Sequence, residues 1–208
     1  MVMAAAAYLL GSIPAGYLVA RARGIDIRAV GSGNIGATNA FRILGKPAGI
    51  FVLVADGLKG FAASAWLADF VVQLFTVAPE QIEYLRIVAG ICAVLGHNFT
   101  CWLKFKGGKG IATSAGVYFA LAPLAAGIAL VTWIIAAVST RYVSIASIAA
   151  AVALPTAVWL TRNSLFLGMV TTALGLLAIF KHRSNIQRLL NGTERRVGQK
   201  SVTTEATK

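Results

Sequence analysis

The stretch Ile111–Thr140, IATSAGVYFALAPLAAGIALVTWIIAAVST, decides the fold. It carries no charge and contains one proline, Pro123. Read as one kinked segment it is a single long membrane span. Read as two, it divides at about 110–122 and 124–140. The first of these is short for a helix that must cross ~30 Å of hydrocarbon at ~1.5 Å per residue. The remaining apolar blocks fall at about 2–20, 47–72, 84–101, 143–160 and 165–180, so the chain has six spans or seven depending on Pro123.

The basic residues choose between the two counts. With seven spans, Arg21, Arg23, Arg28, Arg42 and Lys46 lie on one side, as do Lys104, Lys106, Lys109 and Arg141. The tail residues Lys181, Arg183, Arg188, Arg195, Arg196, Lys200 and Lys208 join them, giving sixteen of the nineteen Lys and Arg. Arg86 and Arg162 fall opposite, and Lys59 lies inside a span. Six spans would scatter these loops over both faces. The positive-inside rule makes the sixteen-residue side cytoplasmic. The expectation is therefore an all-α, polytopic integral membrane protein. It has seven transmembrane helices, an N-terminus outside and a cytoplasmic C-terminus.

Composition agrees with this class. The chain of 208 residues is 58% hydrophobic and 12% charged, with a mean hydropathy of +0.76. Soluble domains carry about twice that charged fraction. The net charge of +12 is explained by topology signals and anionic headgroups, so nucleic acid is not expected as a partner. Positive charge follows the first apolar run instead of preceding it, which reads as a retained helix and not a cleaved signal. No repeat is visible. Residues 1–197 read as a single bundle and 198–208 as a polar tail expected to be disordered.

Metal and redox chemistry are not expected. Cys92 and Cys101 are nine residues apart on one expected helix, about 13 Å, too far for a disulfide. Only two histidines occur, and there is no HExxH and no Cys/His cluster. No GxSxG elbow supplies a nucleophilic serine, and neither histidine begins an HxxxxD.

The polar residues gather on the cytoplasmic side, in four groups. In "GSGNIGATNAFR", Gly31–Arg42, the glycines Gly31, Gly33 and Gly36 expose backbone N–H groups. Ser32, Asn34, Thr38 and Asn39 add small polar groups there, and Arg42 can fork two donors to a phosphate. Helix capping would need only one such residue, so this connection reads as an anion site. In "FKGGKG", Phe105–Gly110, the residues Gly107, Gly108 and Gly110 allow close backbone approach while Lys106 and Lys109 bring charge. A helix begins directly after, and its N-terminus favours an anion. This is no Walker A loop, because Lys109 is followed by Gly110 and Ile111. In "ADGLKG", Asp56 and Lys59 share one helix face inside a span and can pair, as a structural ion pair or as support for the site. At the end of the last span His182 and Asn185 stand one turn apart, with Glu194 nearby; Lys181, Arg183 and Arg188 read as topology anchors.

Together these segments resemble the bacterial acyl-phosphate:glycerol-3-phosphate acyltransferase family. The matching elements are "LLGSIPAGYL" (Leu9–Leu18), "GSGNIGATN" with Arg42, "DGLKG", "LGH" followed by "FKGGKG", and "HRSNIQRLLNGTE", in that order along the chain. The resemblance implies an inner-membrane enzyme that moves a fatty acyl group from acyl phosphate to the 1-hydroxyl of glycerol 3-phosphate. Lysophosphatidic acid and inorganic phosphate would be the products. No cofactor, acyl-CoA or carrier protein is implied as donor. On this reading Ser32, Arg42, Lys109, His182 and Asn185 are catalytic. Gly31, Gly33, Asn34, Thr38, Asn39, Lys106, Gly107, Gly108 and Gly110 bind substrate, and Asp56, Lys59, His97 and Glu194 support them. The partners are glycerol 3-phosphate, acyl phosphate and membrane lipid. Two phosphate-bearing substrates fit two anion loops, and which loop takes which stays open. An acyl phosphate is already activated, so proximity and charge can carry the reaction without an enzyme nucleophile. The rival class, a transporter of a phosphorylated solute, would need polar groups deep in the membrane, where only Asp56 and Lys59 qualify.

Overall fold

The computed structural model describes residues 1–75 and 77–199; Lys200, Lys208 and the rest of the tail past Gln199 lie outside the described residues. The order is α1 (Val2–Ser12), α2 (Ala15–Arg21), α3 (Ala37–Leu44), α4 (Lys46–Ala62), α5 (Ala68–Leu74) and α6 (Pro79–Asn98). Then come α7 (Ile111–Leu121), α8 (Pro123–Thr140), α9 (Val143–Thr161), α10 (Leu165–Lys181) and α11 (Arg183–Leu190). A π-helical turn, Ala63–Leu67, joins α4 to α5.

Among the described residues, four segments are long and apolar enough to cross a membrane: Lys46–Leu74, Pro79–Leu103, Pro123–Thr140 and Val143–Thr161. The count becomes six if the bent pairs α1–α2 and α10–α11 are each one span. Helix α7 is a separate element of 11 residues. The division of the opening stretch falls at Ala122, whose φ of −148° leaves the helical region just before Pro123.

The first apolar block is not one straight helix. It breaks at Ile13–Pro14 and bends by 41°. Proline cannot donate to the preceding turn, so carbonyls there need other partners. The Thr100 hydroxyl donates to Ser12 O at 2.6 Å, and Lys59 Nζ donates to Ile13 O at 2.9 Å. A polar residue inside one span thus completes the backbone of another.

Small residues set the helix spacing. A Cβ on Gly116 of α7 would stand 1.8 Å from the Gly57 carbonyl of α4, so these backbones touch directly. Such approach drives association where lipid offers no hydrophobic gain. The core beneath the site is formed by Ile87, Val94, Val117, Tyr118, Ala122, Ala126, Val158 and Leu167, from α6 through α10. At the opposite end, Arg86 pairs with Asp69 at 2.7 Å and Arg162 with Glu83 at 3.3 Å. Those two cations are thereby paired with carboxylates. The tail is pinned where it begins: Val197 N–H donates to Arg141 O at 2.8 Å.

Candidate active site

The Gly31–Arg42 connection is half loop and half helix, because α3 begins at Ala37. Asn39 organises it from below. Its amide nitrogen donates to the carbonyls of Ile27, Val30 and Asn34 at 3.2, 3.1 and 3.0 Å. Its Oδ1 accepts from Ser32 N–H at 3.0 Å. With 1% exposure and its amide committed, Asn39 shapes the loop and has no group left to polarise a substrate. Asn34 Oδ1 accepts from Gly36 N–H at 2.9 Å, closing a local turn. Gly31, at φ +64°, fits tightly on Asn39 Oδ1. Ser32, Thr38 and Arg42 are among the side chains that the loop and α3 present to the larger of two cavities described below, with Asn34 and Asn39.

The second loop has a steric reason for its glycines. A Cβ on Gly107 would lie 2.0 Å from His97 O, and one on Gly108 would lie 2.1 Å from His97 Nε2. Both residues are pressed onto the end of α6, where Gly107 N–H and Gly108 N–H donate to Asn98 O and His97 O. His97 is itself held from behind. Lys59 can only donate, so His97 Nδ1 accepts from Lys59 Nζ at 2.9 Å, and Lys59 pairs with Asp56 at 2.8 Å. All three side chains are nearly fully buried. The cluster joins α4, α6 and the break after α1 beneath the loop.

Lys109 points the other way, toward α11. It donates to Asn185 Oδ1, and Asn185 Nδ2 donates to Glu194 Oε1 at 2.7 Å. Arg188 Nε donates to Glu194 Oε2 at 2.7 Å. Burial pulls Lys109 down from 10.5 to about 8, with Glu194 opposing and Arg188 and Arg42 adding to the fall. Burial also lowers Arg42, against the pull of Glu194. For Glu194 burial works upward, but the hydrogen bonds from Asn185 and Arg188 hold its carboxyl below the usual range. His182 is desolvated and faces the Lys109 charge, which pushes it from 6.5 to about 4. Its Nδ1 lies 2.8 Å from Ala178 O and must donate there, leaving Nε2 as acceptor.

Two cavities of opposite character meet at Lys109. The larger, about 290 Å³, runs from Arg42, Lys109, His182 and Asn185 into apolar surface on α7, α8, α9 and α10. The smaller, about 200 Å³, is polar and is walled by Lys109, Lys181, Arg183 and Arg188 with Ser32 and Ser184. Ser32, Asn34 and Lys109 line both. Helices α3 and α7 start at the larger cavity, and neither has a side-chain hydrogen bond at its N-cap, Gly36 and Gly110. Their free N–H groups and dipoles favour an anion at its mouth.

Most residues singled out from sequence converge here, Asp56, His97 and Glu194 included, as lining of the larger cavity. Gly33, Gly107 and Gly108 line the smaller, and Gly110 the larger. Lys106 does not: it is exposed and lines neither cavity, as is also true of Gly31. Lys59 stays behind the wall. The residues missed are Lys181, Arg183, Ser184 and Arg188, which had read as topology anchors or gone unremarked. Ser184 and Arg188, four apart, share one face of α11, which was the available signal, while Lys181 lies across the 51° bend at the end of α10.

The family model described as glycerol-3-phosphate acyltransferase matches residues 1–192. The chain is 44% identical over 195 residues to the glycerol-3-phosphate acyltransferase of Geotalea daltonii, covering 93% of this chain and 95% of that one. It is 45% identical over 197 residues to that of Geobacter sulfurreducens, covering 94% and 96%. Among solved structures it is similar to PlsY, an integral membrane glycerol 3-phosphate acyltransferase, in the glycerol 3-phosphate form. That match has a TM-score of 0.85 and 39% identity over 95% of this chain and 94% of the other. The lysophosphatidic acid form matches with a TM-score of 0.81 and 38% identity over the same shares.

Proposed function

The chain belongs to the glycerol-3-phosphate acyltransferase family, and from that premise we propose how its two cavities divide the work. The enzyme transfers a fatty acyl group from acyl phosphate to the 1-hydroxyl of glycerol 3-phosphate, giving lysophosphatidic acid and inorganic phosphate. The polar cavity takes the phosphate of glycerol 3-phosphate, on Lys181, Arg183, Arg188 and Lys109. The apolar cavity takes the acyl chain. The acyl phosphate group sits at its mouth, between Arg42, Lys109, Ser32, Thr38 and the N-termini of α3 and α7. The carrying observation is the meeting of the two cavities at Lys109.

The 1-hydroxyl oxygen attacks the acyl carbonyl carbon, and the bond from that carbon to the phosphate oxygen breaks. Lys109 and the helix N-termini stabilise the departing phosphate. The hydroxyl proton passes to a substrate phosphate, whose second pKa of ~6 makes it a better acceptor than an imidazole held at about 4. His182 Nε2 and Asn185 orient the hydroxyl. Asp56, Lys59 and His97 hold the second loop in place.

We also propose seven crossings, the N-terminus outside and the C-terminus in the cytoplasm, in a bacterial inner membrane. Supporting this are the sixteen basic residues of one face and the paired cations of the other. Helix α7 is only about 16 Å long. As a crossing it must start below the headgroups, which lowers Lys109 toward the dissolved acyl chain.

Purified protein given acyl phosphate and glycerol 3-phosphate should release phosphate only when both are present. Arg188→Ala should raise KM for glycerol 3-phosphate, and Thr38→Ala should raise KM for acyl phosphate. Phosphate release independent of glycerol 3-phosphate would overturn the reading, and the reverse KM pattern would overturn the division between cavities.

A further inference from the structure

The apolar cavity ends on buried side chains, Tyr118, Ala126 and Thr171, and its depth is read from the order of its lining residues. Helices α7 and α9 enter from the polar mouth, and along them the deepest lining residues are Tyr118 and Leu154. Helices α8 and α10 return toward the mouth, and their deepest lining residues are Ala126 and Thr171. These four are the innermost lining residues of their helices. Tyr118 is the largest of them and is 1% exposed, with its phenol beside the Thr171 hydroxyl. Beyond them Ala122, Ala125, Ala157, Val158 and Leu167 form packed core.

We propose that Tyr118 is the stop that sets the length of acyl chain this enzyme accepts. The inference rests on the reading that this cavity holds the acyl chain. From Ser144 near the mouth to Leu154 at the floor, ten residues of α9 rise about 15 Å, room for roughly a dozen methylenes at about 1.3 Å each. A longer chain must fold back or leave carbons at the open side of the cavity, where Leu130, one turn above Ala126 on α8, lines it and is 45% exposed. A shorter chain leaves the floor unfilled. Either departure forfeits contact with the wall, and one methylene in an apolar pocket changes kcat/KM by ~10-fold or more.

Full-length parent, Tyr118→Ala and Ala126→Leu are assayed with a homologous series of saturated acyl phosphates, short to long, following glycerol 3-phosphate-dependent phosphate release. Tyr118→Ala removes the stop and should shift the ratio of long-chain to short-chain kcat/KM upward by ~10-fold. Ala126→Leu fills the same end of the cavity from α8 and should shift it downward by a similar factor. If Tyr118→Ala does not fold, the Ala126→Leu shift alone decides. A parent that turns over while every variant that folds keeps its profile overturns the floor assignment and leaves the acyltransfer reading standing. A parent with no glycerol 3-phosphate-dependent release brings down both.

Discussion

Lys109 is the point at which the electrostatics of the site can be broken most cleanly. It faces both cavities and is held by Asn185. Its amine is pulled to about 8 mainly by burial. The amine is then about nine-tenths charged at pH 7 and about one-tenth charged at pH 9, so kcat/KM should fall roughly tenfold between them. The substrate phosphate, with its second pKa of ~6, shapes only the acidic side. Lys109→Met removes the charge altogether. Deleting one partner of a desolvated charge pair costs about 2–5 kcal/mol, or roughly 30- to 4000-fold in kcat/KM. Lys109→Arg keeps a cation that does not titrate in this range, so the alkaline fall should vanish even if the rate drops through altered geometry. The assay is phosphate release as a function of pH, with the rate lacking glycerol 3-phosphate subtracted at each point. The reasoning is refuted if the alkaline fall survives unchanged in Lys109→Arg, or if Lys109→Met retains more than about a tenth of kcat/KM.

Gly107→Ala should lower the apparent Tm of the ligand-free protein, because overpacking against the His97 and Asn98 backbone costs about 1–3 kcal/mol; an unchanged Tm would leave phosphate approach as the glycine's only purpose. Asn39→Asp replaces a donor shared by three carbonyls with a carboxylate and should cost at least about 3 kcal/mol in an unfolding assay. Asn34→Ala, which loses one local turn bond, should cost far less, and equal losses would contradict the assignment. For His182 the sign follows from a folded pKa of about 4 against 6.5 unfolded. Above 6.5 both states are neutral. As pH falls from 6.5 to 4 the unfolded chain takes a proton that the folded one refuses, and up to about 3 kcal/mol of stability is lost. His182→Gln should flatten that dependence; an equal slope in the variant would place its origin elsewhere.

The apolar segments were legible because a membrane crossing writes itself as an uninterrupted apolar run. The split of Ile111–Thr140 was legible from the sidedness of the basic residues, because a proline can sit inside a helix, as Pro155 does in α9, as well as begin one. The bend at Ile13–Pro14 was not. Whether a proline breaks a span depends on who receives the freed carbonyls, and those partners, Thr100 and Lys59, lie far along the chain. Arg42, Lys109, His182 and Asn185, which line one cavity, stood out in the sequence because each sits in a dense cluster of glycines or small polar residues at the end of an apolar run. Lys181, Arg183 and Arg188 were not separable from ordinary topology charges. Only the turn of α11 back over the Gly107–Gly108 loop gives them a cavity to face.

The Phe105–Gly110 loop lines both cavities, and its glycines have a steric cause there. Its glycines suggested a backbone cradle for phosphate, yet Gly107 and Gly108 are required by contact with His97 and Asn98. The positive charge of the polar cavity comes from Lys109 on this loop, Lys181 at the end of α10, and Arg183 and Arg188 on α11. On the proposed reading, phosphate affinity is a property of convergence. The loop in isolation would keep one of these cations and lose the other three, together with the Asn185 and Glu194 groups that fix its lysine. The buried Asp56, Lys59 and His97 cluster gains its meaning from the same geometry, since it holds the loop at the height where those cations meet.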